Sequence, residues 1–260
     1  MDYNEIKAVN WSTLKHIGVS PKYYRHRLEN PEPETAAMRL GTAVHCAVLE
    51  PHVFVATYAT APDVNRRTKA GKAAYDEAVD ASYGKTLINH AEAVLTGRIA
   101  RAVREHAPAA ALLRDAPERE QTITWTDART GLACKGRVDA VGNDRMVSLK
   151  TTRAPTPEAF ARAAIFHQYH GQAAFYSEGT GLPEVVIVAQ SVEPYDVWVL
   201  EWPQEILDVG HDLCAELLDT LAHCRASDTW PGAVPGTMTL PVPSWAMPRD
   251  DDDLAELGLE

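Results

Sequence analysis

The stretch GRVDAVGNDRMVSLKTT, Gly136 to Thr152, and the later stretch QYHGQAAFY, Gln168 to Tyr176, decide the reading of this chain. Two short apolar segments flank the turn NDR. Each carries one out-of-place charge, Asp139 in the first and Lys150 in the second. Side chains alternate along a strand, so Ser148 and Lys150 share one face, while Val147 and Leu149 turn to the other, toward a core. A lysine in an apolar strand needs a reason. Gln172 and Tyr176 lie one helical turn apart, with Tyr169 one turn earlier, and the three share a helix face.

Outward from this stretch, EQTITWTD (Glu120 to Asp127) alternates as a strand and ARTG reads as a turn. Strands at about 120–127, 132–141 and 146–151 then form a meander. A helix at about 156–179, closed by Gly179 or Gly181, leads to EVVIVAQ (Glu184 to Gln190), a near-continuous apolar run expected to be an interior strand. Asp196 to Trp202 is its hairpin partner or a neighbour, and a helix spans roughly 203–225. Toward the N-terminus, Ser12 is expected to cap a helix over about 12–17. Pro21 opens a short helix through Arg27, and ENPEPET is a loop. A helix at about 36–50 ends at Pro51, and Phe54 to Thr60 reads as a strand. Helices follow near 70–82 and 90–114. The Pro- and Gly-rich segment TWPGAVPGTMTLPVPSWAMP should wrap the surface, anchored by Trp230 and Trp245. The pattern predicts one domain over 1–260: a helical part to about 115, a core at about 116–226, and a wrapping segment with an acidic tail at 227–260. The fold class is α/β or α+β, a central mixed sheet flanked by helices.

Composition sets outer bounds. Hydrophobic residues make up 45% and charged residues 23%, ordinary for a globular protein. No run of 18 apolar residues exists, so no membrane span is expected, and the polar N-terminus lacks the apolar core of a signal peptide. A cytoplasmic protein is the expectation. Four scattered cysteines without a CxxC pair predict buried, reduced thiols rather than a zinc or iron–sulfur site. The net charge of −11 argues against a uniformly basic surface, but it is uneven: the tail from Arg249 to Glu260 holds six of the acids. Basic clusters occur in PKYYRHR (Pro21 to Arg27) and NRRTKAGK (Asn65 to Lys72). Both read as solvated helix faces or as nucleic-acid contacts.

Phosphodiester hydrolysis needs a divalent ion, and magnesium takes oxygen ligands, mainly carboxylates. A lysine beside such an ion can hold the attacking water or offset transition-state charge. Asp139 and Lys150 on adjacent strands could face one pocket. By spacing alone, they fit a surface ion pair equally well. His45, within GTAVHCAVLE, sits in an apolar helix, where it is either a core residue or a ligand.

Taken in order, Gly41 to His45 (GxxxH), Glu120, Asp139, Lys150 and Gln172 to Tyr176 (QxxxY) resemble the RecB-type and lambda-exonuclease-like members of the PD-(D/E)xK nucleases. The likeness is nearest to the nuclease domain of exodeoxyribonuclease VIII, a prophage recombination exonuclease. It extends through LGTAVHCAVLEP, APDVNRRTKAGK, WTDARTGLACKGRVD, LKTT, YHGQAAFYSEG and PSWA. The resemblance implies a restriction-endonuclease-like core and a metal centre for Mg2+ or Mn2+. His45, Asp139, Glu120 and the Leu149 carbonyl would be ligands at that centre. Lys150 would act at the water or phosphate, with Gln172 and Tyr176 orienting it. Ser12, Arg25 and Arg27 would bind a 5′-phosphate, and Arg66, Arg67, Lys69 and Arg137 would contact DNA. It further implies 5′→3′ digestion of one strand of linear duplex DNA in a bacterial host, with phage or prophage origin. A ring-shaped trimer or tetramer and a single-strand annealing recombinase as partner go with that activity.

Ser148 is the departure, because the motif expects a carboxylate two residues before Lys150. Three readings stand. The serine is a substitution that inactivates the enzyme; or another acid, Asp144, Glu120 or Glu50, takes over; or the chain is an inactive DNA-end-binding module on a nuclease fold. An endonuclease or nickase with the same site is a further alternative.

Overall fold

The computed structural model describes residues 3–234 and 236–243. The expected Trp245 anchor, the PSWA segment beyond Pro243 and the acidic tail lie outside the described residues.

The chain runs through helices α1 (Trp11–Leu14), α2 (Pro21–Glu29), α3 (Ala36–Leu49) and α4 (Pro51–Thr57), then a short strand, β1 (Tyr58–Thr60). Helix α5 (Lys69–Ala81), strand β2 (Thr86–Ile88) and helices α6 (His90–Glu105) and α7 (Ala107–Asp115) complete the N-terminal part. The core follows as β3 (Glu118–Thr126), β4 (Ala133–Val141), β5 (Met146–Thr152), α8 (Pro157–Phe166), α9 (Tyr169–Thr180), β6 (Glu184–Gln190), β7 (Val197–Glu201) and α10 (Gln204–Ser227).

Strands β3 to β7 form one mixed sheet in chain order. The β3–β4, β4–β5 and β6–β7 pairs are antiparallel, and β5–β6 is parallel. A parallel neighbour needs a crossover, and α8 and α9 supply it. All seven residues of β6 are buried, which matches its apolar run and its place between β5 and β7. Helices cover both faces. On one, Val44, Val48, Ile99, Val103 and Leu113 of α3, α6 and α7 pack against Val147, Leu149 and Ile187. On the other, Phe160 and Ala164 of α8 meet Val186 and Val188, while Phe175 of α9 and Leu217, Leu218 and Leu221 of α10 join Trp11, Leu14 and Tyr24. The four cysteines are free thiols, three of them buried. No described helix is long and apolar enough to cross a membrane.

Four local expectations are corrected. The cap of α1 is Asn10, whose side chain accepts from Thr13 N at 2.9 Å; Ser12 lies inside the helix and donates to Asn10 Oδ1. Phe54 to Thr57 is helical rather than extended, because Pro51 at the first turn starts a new helix and leaves only Tyr58–Thr60 to pair with β2. The helix expected at 90–114 breaks at His106. Pro108 lacks an N–H and cannot continue a helix from behind, so His106 adopts an extended backbone and caps α7 through its ring. The helix expected at 156–179 breaks at Gln168, which is left-handed at φ 57°. No glycine or proline marks that break. It re-aims α9 so that its Gln172 and Tyr176 meet β4 and β5. Gly181, also left-handed, closes α9 as expected.

Candidate active site

The site lies where β4 and β5 part. Their antiparallel pairing is confined to Ala140↔Val147 and Val141↔Met146. Beyond it, the Leu149 amide donates to Asp139 Oδ2 at 2.7 Å, so a side chain fills the place of a strand carbonyl. This holds Asp139 in the opening gap. Opposite it on β3, Glu120 is skipped in the β3–β4 register and adopts a left-handed backbone at φ 47°. A non-glycine residue in that region costs on the order of 1 kcal/mol and is retained where its surroundings impose it.

Helix α3 brings His45 against the same gap, its Nδ1 3.6 Å from Asp139 Oδ2. One ligand atom each from His45, Glu120 and Asp139 lie within 4.8 Å of one another. Burial lowers the His45 pKa; Asp139 opposes this, Lys150 adds to it, and a hydrogen bond to the Leu149 backbone raises it. The ring is therefore neutral near pH 7, the form that ligates a metal. Burial, with Asp139 next, pushes the Glu120 carboxyl up to about 7, against the pull of Arg137, whose Nε is 3.1 Å from Glu120 Oε2. Two crowded carboxylates resist ionising together. Imidazole and carboxylate donors suit a divalent ion of the Mn2+ or Mg2+ kind, so the residues present fit the group that the resemblance implies. The hydrogen bond between His45 and the Leu149 backbone also places that backbone beside the three side chains.

Lys150 is held from α9. Its Nζ donates to Gln172 Oε1 at 3.0 Å and stands 5.2 Å from the centroid of the Tyr169 ring. Gln172 Nε2 in turn donates to the Tyr176 hydroxyl at 3.4 Å, and burial raises the Tyr176 pKa, keeping the phenol protonated. Gly136 makes this approach possible, since a Cβ there would lie 2.8 Å from Tyr176 Cε1.

Other expected residues lie apart. Arg25 pairs with Glu29 and Asp228, and Arg27 pairs with Glu32 at 3.0 Å, so acids already occupy both. Arg66 stacks over Tyr75 at 3.9 Å, and Arg67 and Lys69 are exposed at the start of α5. Among the described residues, no ion pair or hydrogen bond joins Ser12 or these clusters to the gap. Arg137 does join it, through Glu120.

Ser148 is 2% exposed, and its hydroxyl donates to Glu184 Oε1 on β6. Of the three acids that the sequence offers in its place, Glu120 lies in the cluster with His45 and Asp139, and Asp144 and Glu50 do not. Asp144 is instead exposed at the hairpin tip and paired with Arg145 at 2.8 Å. Glu50 caps the end of α3, outside the three-residue cluster. The carboxylate that touches Ser148 is Glu184, which sequence reading missed. The available signal was an acid heading an otherwise apolar strand, in phase with Val186 and Val188.

The family described as "PDDEXK-like domain of unknown function (DUF3799)" matches residues 10–237. No curated protein matches the chain. Among solved structures, one from Eubacterium rectale described as a candidate exonuclease superposes with a TM-score of 0.59 at 12% identity, covering 94% of this chain and 96% of that one. At that identity the match speaks to fold, and it agrees with a restriction-endonuclease-like core. A second structure, SSO0001, reaches only 0.27 at 15% identity over 66% of this chain and 84% of its own, and carries no argument. The match over 10–237 takes in every element from α1 to α10 and the whole of the gap between β4 and β5, and the chain belongs to this PDDEXK-like family.

Proposed function

We propose that this chain is a divalent-metal-dependent nuclease that digests one strand of linear duplex DNA in the 5′→3′ direction. The observation that carries the nuclease reading is the convergence of His45, Glu120 and Asp139 within 4.8 Å at the strand gap that also orders Leu149 and Lys150. His45, Glu120 and Asp139 would hold Mn2+ or Mg2+, with the Leu149 carbonyl beside them. A divalent ion there supplies positive charge toward a phosphate oxygen and acidifies water. The remaining chemistry belongs to the side chains. Lys150, fixed by Gln172, presents its ammonium to the scissile phosphate. Glu120, its carboxyl raised to about 7 in the metal-free chain, would give up its proton as the ion binds. Tyr176 keeps Gln172 aimed, and Arg137, paired with Glu120, would meet the backbone of an approaching strand.

The exonuclease part is supported by the ordered motif set and by the fold relative described as a candidate exonuclease. From the same motif set we extend the proposal to a trimeric or tetrameric ring, and to a role in recombination beside a single-strand annealing protein. Incubation with 5′-phosphorylated linear duplex and closed circular duplex, with Mn2+, Mg2+ or chelator, tests the activity. Release of nucleotides from the 5′ ends of the linear form alone is the expected result. Cutting of the closed circle would mark an endonuclease. Metal binding without cleavage of either substrate would leave an end-binding module. A light-scattering mass of three or four chains tests the ring.

A further inference from the structure

The antiparallel pairing of Ala140 with Val147 places Asp139 opposite Ser148 one step further along, at the point where the strands part. Ser148 therefore stands at the edge of the metal gap with no charge of its own. Behind it is Glu184, 5% exposed. One Glu184 oxygen accepts from Ser148 Oγ and the other from Trp202 Nε1 at 2.8 Å. Both donors are neutral, and no cation forms an ion pair with this carboxylate among the described residues. A buried carboxyl is costly to ionise unless a nearby positive charge meets it. Burial raises the Glu184 pKa and Asp139 adds to the rise, while Lys150 and the hydrogen bonds from Ser148 and Trp202 oppose it, so a cation at the gap would favour the charged carboxylate.

We propose that Ser148 and Glu184 together replace the missing motif carboxylate: the serine oxygen takes the ligand position, and Glu184 supplies the charge through it. The hydroxyl proton points to Glu184, so the oxygen lone pairs turn toward the gap beside Asp139. A carboxylate that accepts from a ligand's proton raises that ligand's basicity and fixes its direction, as outer partners of metal ligands do. Glu184 is a positioning residue in this arrangement. The parallel register makes it possible: Ser148 aligns with Val186, and Glu184 lies two residues before Val186 on the same face of β6. The proposal rests on the nuclease reading.

Four variants test it: Glu184→Gln, Ser148→Asp, the double variant Ser148→Asp/Glu184→Gln, and Trp202→Phe. Each is measured by Mn2+ calorimetry, thermal melting and hydrolysis of 5′-phosphorylated linear duplex. Glu184→Gln keeps an acceptor for Trp202 and a partner for Ser148; it should fold and lose roughly 10–100-fold in Mn2+ affinity, with hydrolysis falling in step. Ser148→Asp alone sets two carboxylates in contact in a buried space and should melt well below the native chain. The double variant moves the charge to the motif position and should restore both stability and Mn2+ affinity. Trp202→Phe removes the other hydrogen bond and should lower the melting temperature, with a smaller fall in Mn2+ affinity than Glu184→Gln gives.

Native Mn2+ affinity in Glu184→Gln overturns the proposal and makes Glu184 a structural bridge. So does a stable Ser148→Asp variant that binds Mn2+ more tightly than the native chain. A native chain that neither binds nor cuts, beside a double variant that does both, also overturns it and leaves the nuclease reading intact for the motif. If neither the native chain nor any variant binds Mn2+ or cuts, the nuclease reading fails and the proposal with it.

Discussion

The backbone amide of Leu149 donates to Asp139 Oδ2 at 2.7 Å, so the carboxylate that would hold a metal also completes the hydrogen bonding of β5. Leu149 is fully buried, and a buried amide left unmet costs about 1–3 kcal/mol. Asp139→Asn retains an acceptor for that amide and should melt close to the native chain while losing metal binding. Asp139→Ala should lose metal binding and, in addition, about 1–3 kcal/mol of stability. Urea denaturation of both variants checks this; equal stabilities would show that the bond contributes nothing to the strand gap.

Glu120 gives the metal-free protein a pH signature. Its carboxyl is raised from 4.5 to about 7, so the folded chain holds this proton more tightly than the unfolded one. The contribution is fully present below the unfolded value and is lost as pH rises through the folded one. Stability with chelator present should therefore fall between about 4.5 and about 7 and level off above. Glu120→Gln should flatten that slope. Denaturation midpoints across the window decide it, and an unchanged slope in the variant would assign the effect to another group.

At Gly136 of β4, the Tyr176 side chain of α9 packs close against the strand backbone. An added Cβ would stand 2.8 Å from Tyr176 Cε1 and 3.2 Å from Ile123 Cγ1. Gly136→Ala should cost about 1–3 kcal/mol through overpacking and, by pushing Tyr176 and Gln172, loosen Lys150. In the Gly136→Ala/Tyr176→Ala double variant the two costs should sum to less than the single effects, since the clash is gone. Strict additivity in thermal melts would mean that the ring is not what the new methyl meets.

Lys150 separates binding from chemistry. Lys150→Met removes the ammonium that Gln172 holds and takes a positive charge away from His45. Mn2+ affinity should hold or rise, while hydrolysis falls by roughly 10²–10⁴-fold. Parallel loss of affinity and rate would place the lysine in the ligand set instead of at the phosphate.

Periodicity carried much of the fold. The meander of β3, β4 and β5, the interior position of β6 and the long α10 were all readable, because alternation and helical spacing are local consequences of burying one face. The breaks at His106 and Gln168 were not equally visible. Pro108 marks the first. The second has no local marker: Gln168 takes a left-handed backbone between α8 and α9, which pack in different clusters.

The order of His45, Glu120, Asp139, Lys150, Gln172 and Tyr176 along the chain was set by sequence alone, as was the absence of a carboxylate at Ser148. Sequence could not show which acid stands beside that serine. Asp144, four residues away, is turned out to solvent and neutralised by Arg145. Glu184, 36 residues away, touches the serine because β5 and β6 run parallel in one register. Distance along the chain sets what a residue can reach within one helix or hairpin. Contact across a crossover is set by how the strands align, and that alignment follows from the packing of the whole sheet.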